Sequence, residues 1–154
     1  MALPKHGETQ ELNELCQGTK YAIGQAIIKG VRANNLAIVR NSLTVGANVD
    51  IVDSLGYTAL HWAAKRNYSE MAKWLVDYGA NVNIQAKDGC TPLIVAASMN
   101  SIAVVKILLA TVGTIAMQSP RYTRSRSVVN CNLQSRVGFS AAHAAVRYGS
   151  TAKR

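Results

Sequence analysis

Residues 53–64 read Asp53-Ser-Leu-Gly-Tyr-Thr-Ala-Leu-His-Trp-Ala-Ala64, and a polar break separates them from a second apolar run, Met71–Val76. That run closes on Tyr78-Gly-Ala-Asn-Val-Asn83. The stretch thus holds two short helical patterns back to back, fenced by Gly56 and Gly79. Such a unit is short enough to recur, and the flanking chain shows that it does.

Gly46-Ala-Asn-Val-Asp50 returns as Gly79-Ala-Asn-Val-Asn83, an offset of 33 in the numbering. Gly56-Tyr-Thr-Ala-Leu60 returns at the same spacing as Gly89-Cys-Thr-Pro-Leu93, and Ala63-Ala64 returns as Ala96-Ala97. Asn34, Asn67 and Asn100 keep the spacing too, each standing between two helical runs. Separate markers at one period define a repeat, and a repeat settles the fold before any site is sought. Each marker has a physical role. Gly56 and Gly89 suit a tight turn leading into a helix. Thr58 and Thr91 can cap that helix, and Pro92 at its first position gives up no needed donor. The alanine pairs let neighbouring helices approach. The asparagines tolerate the left-handed conformation that ends a helix. Upstream, Ala22, Ile23, Ala26 and Ile27, then Leu36, Ile38, Val39 and Leu43, show the same double helical pattern from Tyr21 onward. One such unit cannot bury its own apolar face, so copies must stack.

The motif Gly56-Tyr-Thr-Ala-Leu-His-Trp-Ala-Ala64, followed by Trp74-Leu-Val-Asp-Tyr-Gly-Ala-Asn-Val-Asn83, resembles the ankyrin repeat. The resemblance covers roughly residues 20–150 and is most specific over 53–110. It implies an all-α solenoid in which each repeat is a β-turn finger followed by two antiparallel helices. The expected organisation is a polar segment at 1–19, three repeats at 20–118, a basic Ser/Arg-rich insert at 119–130, and a partial fourth repeat with a basic tail at 131–154. The insert is visible as a break in the period. Asn83–Gly89 finds its echo in Asn132–Gly138 at an offset of 49, so sixteen extra residues stand between Gly113 and Cys131. Lengthening a connection from about 6 to about 22 residues costs only about 1 kcal/mol in closure entropy.

Of the 154 residues 49% are apolar, enough for a core, and the net charge is +9. The charge is uneven: residues 1–88 carry 9 Lys/Arg against 8 Asp/Glu, whereas residues 89–154 carry 8 Lys/Arg and no acid. Cys16, Cys90 and Cys131 are odd in number and scattered, which favours a reducing compartment over a disulfide framework or a zinc site. The N-terminus has no apolar signal core, and the longest apolar run, Ile102–Ala110, is broken by Lys106. These features fit a soluble cytoplasmic or nuclear monomer. There is no Gly-rich phosphate loop and no Gly-x-Ser-x-Gly, and neither a cofactor nor a metal is expected. His61 and His143 have no base or nucleophile at a defined spacing. At the family's Thr-Pro-Leu-His position they read as structural bridges between adjacent turns, and Ile94 interrupts that series.

The function implied is a non-catalytic protein–protein interaction module. The resemblance places the residues around the turn glycine, and the end of each first helix, on a concave groove. In the second repeat these are Ser54, Leu55, Tyr57, Lys65 and Arg66, with Trp62 beside them. The third repeat gives Lys87, Asp88, Cys90, Ser98 and Met99, and the fourth gives Arg136, Val137, Phe139, Arg147 and Tyr148. An aromatic next to basic residues is a composition that interfaces favour, although a cation at a helix C-terminus also serves the helix dipole. Trp74, between Met71 and Leu75, is expected to pack on the neighbouring repeat. Ser125 and Ser127, among Arg121, Arg124 and Arg126, are candidates for phosphorylation if the insert is more than a solvated loop. The resemblance also makes Asn83 a candidate for asparagine hydroxylation. A different class of function is binding of nucleic acid or anionic lipid by the basic half. A third is service as the repeat portion of a larger enzyme or channel. The fourth repeat opens with Gly138-Phe-Ser-Ala-Ala-His-Ala-Ala145 but lacks a second helix, and a poorly ordered end is expected. Hydrogen exchange tests this: Ala142–Val146 should exchange rapidly, and strong protection there would overturn the expectation.

Overall fold

The computed structural model describes residues 6–113, 130, 132–136, 138 and 140–143. Six helices run through them: α1 (His6–Arg32), α2 (Leu36–Thr44), α3 (Ala59–Arg66), α4 (Ser69–Asp77), α5 (Pro92–Ser98) and α6 (Ile102–Gly113). They form three hairpins, α1/α2, α3/α4 and α5/α6. The first helices stack as a row in which α3 touches both α1 and α5, while α4 lies against α6. The all-α repeat solenoid expected from the period is the fold observed. Among the described residues the only β-bridges are isolated ones, Val52 with Thr58 and Gln134 with Ser140.

The punctuation follows the sequence markers. Thr58 opens α3 in an extended conformation, with its side chain accepting the His61 N–H, and Thr91 does the same for α5 through Ile94. Pro92 occupies the first turn of α5. Each hairpin then turns on an asparagine in the left-handed region, Asn34, Asn67 and Asn100, with φ of 54°, 56° and 54°. An asparagine bears this strain better than a branched residue. The core is a continuous apolar layer through the helices, including Ile27, Val31, Leu60, Leu75 and Leu108, each fully or almost fully buried. Of the alanine pairs, Ala63, Ala64 and Ala96 are at 0% exposure and Ala97 is half-buried.

The fingers join to one another through the backbone. The Lys87 N–H donates to the Leu55 carbonyl at 3.1 Å, and the Arg136 N–H donates to the Asp88 carbonyl at 3.0 Å. A second tie has the same logic: the Asn81 N–H meets the Asp50 carboxylate at 2.8 Å, and the Asn130 N–H meets the Asn83 side-chain oxygen at 2.6 Å. Both pairs shift by 33 on one partner and 49 on the other, so the finger after the insert regains the register of those before it. That finger ends in the same cap, with Ser140 Oγ 2.8 Å from His143 Nδ1 and Ala141 against the core.

At the N-terminus helix α1 runs unbroken across position 19. No proline interrupts residues 6–32, and two of the glycines there have packing reasons. A Cβ at Gly24 would come 2.5 Å from Ile51 Cδ1, and one at Gly30 would come 3.0 Å from Val39 Cγ2. Both glycines thus let α1 come close to the first finger and to α2 without displacing the Ile51, Ile38 and Val39 side chains. The Gln25 side chain donates to the Val52 carbonyl on the same side.

Gly56 and Gly89 carry the finger contact. Their φ values are +78° and +79°, and a Cβ would meet the backbone nitrogen of Lys87 at 2.8 Å or of Arg136 at 2.6 Å. Gly46 has φ +89° but open space around the same position. Gly56→Ala should therefore cost about 2 kcal/mol or more, against about 1 kcal/mol of backbone strain alone for Gly46→Ala. Urea denaturation of the two variants measures the difference, and equal losses would show that the finger contact carries no weight.

Candidate functional site

His61, at 0% exposure, is fixed at both ring nitrogens. Nδ1 accepts the Thr58 N–H at 3.1 Å and lies 2.9 Å from Thr58 Oγ1, while Nε2 lies 3.0 Å from the Cys90 carbonyl in the next finger. The backbone N–H at Nδ1 fixes the proton on Nε2, which donates to Cys90. The ring therefore links two repeats, and both nitrogens are occupied, so it has no free position for acid–base work. Burial holds its pKa below the ordinary 6.5, outweighing the Cys90 bond and the Asp88 and Asp53 charges that act in the opposite direction.

On this ring stands the aromatic centre of the face. Tyr57 stacks on His61 with centroids 5.3 Å apart and planes at 12°, and meets Trp62 edge to face at 5.8 Å. The Tyr57 hydroxyl donates to Asp88 Oδ2 at 3.0 Å, crossing to the next finger. Burial first, and then that bond to Asp88, push its pKa up to about 12. Burial acts to raise the Asp88 pKa, but the Cys90 N–H and the Tyr57 hydroxyl bring it below the usual carboxylate value. The Cys90 thiol is pushed up to about 11 by burial and by the Asp88 charge, so it is a poor nucleophile at neutral pH. Asp53 organises the turn: Oδ1 accepts the Leu55 and Tyr57 N–H groups, and Oδ2 accepts the Trp62 indole N–H at 2.9 Å. Two cations lie by the indole, the Arg32 guanidinium carbon at 4.9 Å and Lys65 Nζ at 5.0 Å from its centroid.

Of the candidate groove residues, Ser54, Leu55, Arg66, Lys87, Asp88, Met99 and Arg136 are exposed, and Tyr57, Lys65, Cys90 and Ser98 are half-buried. Trp62 is a correction. At 8% exposure its ring belongs to the core, because the indole N–H turns inward to Asp53, and only its flanking cations reach the surface. Ser98 directs its hydroxyl to its own helix, donating to the Val95 carbonyl. Trp74 lies half-buried against Tyr78 and under Arg40 of the preceding repeat, at 4.8 Å. The Asn83 side-chain oxygen accepts from Asn130. Phe139, Arg147, Tyr148, Ser125 and Ser127, together with Val137, lie outside the described residues. Sequence reasoning missed Arg32 and Asp53. Arg32 was within reach, since it stands one repeat period before Lys65.

Among the described residues no group of three or more His, Cys, Asp or Glu is arranged to hold a metal ion. No described helix is long and apolar enough to cross a membrane.

A family model described as ankyrin repeats in three copies matches residues 26–119. The chain is 32% identical over 94 residues to a protein of Rickettsia felis named for its ankyrin repeats, covering 60% of this chain and 25% of that protein. It is 29% identical over 119 residues to an ankyrin repeat protein of Monkeypox virus, covering 68% and 21%. It is 35% identical over 91 residues to the inactive serine/threonine-protein kinase TEX14 of Bos taurus, covering 59% and 6%. The chain thus spans a quarter or less of the length of these relatives.

The neutral His61 gives a pH prediction with a definite sign. The unfolded imidazole binds a proton more readily than the folded one, so the folded state is favoured fully above the unfolded pKa of 6.5. That contribution is lost as pH falls from there through the folded value. Urea midpoints should therefore decrease from about pH 7.5 to about pH 5. The His61 ring resonances should titrate below 6.5, and a midpoint above it would contradict the buried neutral ring.

Proposed function

Because the chain belongs to the ankyrin repeat family, whose repeats serve in general as protein–protein interaction modules, we propose that this stack is a non-catalytic module that binds a partner protein across its finger tips and first-helix row. One observation carries the reading. Tyr57, Lys65 and Arg66, with Leu55, Lys87 and Met99, offer polar and apolar surface, and Tyr57 and Lys65 among them have side chains already held against aromatic neighbours. Tyr57 is fixed by its stack on His61 and its bond to Asp88, and the repeats beneath it are tied through the Cys90 carbonyl. Leu55 and Met99, at 54% and 51% exposure, are apolar groups on fixed backbone.

Such a surface meets its partner with little further ordering, which reduces the entropy lost on association. Scattered exposed apolar residues alone would not suffice, but an amphipathic tyrosine with flanking cations is the kind of anchor that dominates binding energy. The setting that fits best is a reducing cytoplasmic or nuclear compartment, with the chain acting as a monomer.

Replacing Tyr57, Lys65 and Arg66 together by alanine should weaken capture of proteins that the native chain retains by at least about tenfold, equal to about 1.4 kcal/mol. Quantitative pull-down measures this, with the helical circular dichroism as a control for folding. Unchanged capture by a folded variant would overturn the assignment to this face.

A further inference from the structure

The repeat period places Arg32, Lys65 and Ser98 in one row at the ends of the first helices, each one period from the next. The first two converge on a single indole. Arg32 lies 4.9 Å from the Trp62 centroid and Lys65 lies 5.0 Å from it, with Lys65 also 5.9 Å from Tyr57. Both belong to the last turn of their helix, where the dipole favours a cation. That accounts for basic residues at those ends, but Lys29 and Arg66 share the same turns. It does not account for two cations beside one ring.

The acids of this face are engaged by donors of their own fingers and neighbours. Asp53 accepts three donors from its own finger and from Trp62, and Asp88 accepts the Cys90 N–H and the Tyr57 hydroxyl. Neither Arg32 nor Lys65 forms an ion pair with any described residue. The face therefore presents cationic N–H donors whose charge no neighbouring carboxylate contacts. The ring shields one side of each cation from water and restricts its motion. An anion arriving there would find cationic partners already placed beside the ring.

We propose that Arg32 and Lys65, held beside the Trp62 indole, receive a carboxylate side chain from a partner peptide whose acidic residues have apolar neighbours. The proposal rests on the reading of this face as a protein-binding surface and names the chemistry of what it binds. The apolar neighbours would face Leu55 in the finger and Met99 at the end of α5, both exposed. A nucleic acid fits less well on two counts. Trp62 is buried and offers no free face for base stacking. A continuous phosphate chain would also pass the charges of Asp53 and Asp88.

A randomised peptide display library panned against the full chain tests the idea. Peptides retained by the native chain should be enriched in Asp and Glu. They should bind R32Q/K65Q at least about tenfold more weakly, and R32E/K65E should select Lys and Arg instead. In a W74F background Trp62 is the sole indole, and its emission should change when a selected peptide binds. A pool without acidic enrichment, or equal binding to R32Q/K65Q, would overturn the carboxylate assignment. If L55D/M99D still weakens those peptides, the surface remains a protein-binding one and only its chemistry was misassigned. If neither double variant affects capture, both readings fall. Tighter binding of a single-stranded oligonucleotide than of any selected peptide, lost in R32Q/K65Q, would overturn the proposal in favour of nucleic acid.

Discussion

A helical hairpin of about thirty residues has an apolar face that it cannot cover alone, and in this chain the covering depends on register between successive units. Three kinds of bond enforce that register between successive fingers. The Lys87 N–H meets the Leu55 carbonyl, the Asn81 N–H meets Asp50, and the buried His61 ring meets the Cys90 carbonyl. None of them is large individually, because an intramolecular hydrogen bond contributes about 1 kcal/mol net. Their weight lies in the cost of leaving a buried imidazole or a finger N–H without its partner. A slip of one residue would break all three at once. The insert between the third and fourth repeats changes chain length but leaves the two backbone ties in place, with Arg136 on Asp88 and Asn130 on Asn83, while Ile94 takes the place of the histidine bridge.

The same bonds explain how much of the molecule could be read in advance. Backbone demands leave traces in residue type. Asn34, Asn67 and Asn100 mark left-handed turns, Thr58 and Thr91 mark helix starts, and Gly56 and Gly89 mark places where a neighbouring backbone passes too close for a Cβ. Because each demand recurs, each trace recurs at the same period. Features that occur once left no such trace. The extension of α1 back to His6 has no second copy to compare with. The burial of Trp62 turns on whether its N–H reaches Asp53 earlier in the same finger, a matter of distance that composition does not encode. Arg32 was obscured for another reason: the first repeat lacks the Gly-x-Thr-x-Leu marker, so its alignment with Lys65 has to be carried backwards from the later copies.

Charge on the finger face follows from the same geometry. Turns recruit aspartates, since a carboxylate can accept several backbone N–H groups where the chain reverses. Asp53 and Asp88 do this, and their oxygens are thereby engaged by the turn itself. Helix ends recruit cations, which need no hydrogen bond from their own chain to be favourable there. A stack of turns and helix ends thus separates its acids from its bases without any excess of one over the other. Residues 1–88 carry a net charge of only +1 and still build a face with cationic donors outward.

The seating of α1 has a mechanical corollary. At its near end the first finger is closed off by a helix that presses Gly24 against Ile51 and reaches Val52 through Gln25. At the far end, a Cβ on Gly138 would meet nothing among the described residues, whereas Gly56 and Gly89 each lie under the next finger. The row of fingers is therefore braced by a helix at its near end. A tensile load applied along the row would find the interfaces unequal. Among the described residues the finger braced by α1 would meet it with a whole helix, whereas the later fingers are joined to one another by backbone bonds such as Lys87 on Leu55 and Arg136 on Asp88. Structural polarity of this kind gives a quasi-symmetric repeat a direction that its period does not contain.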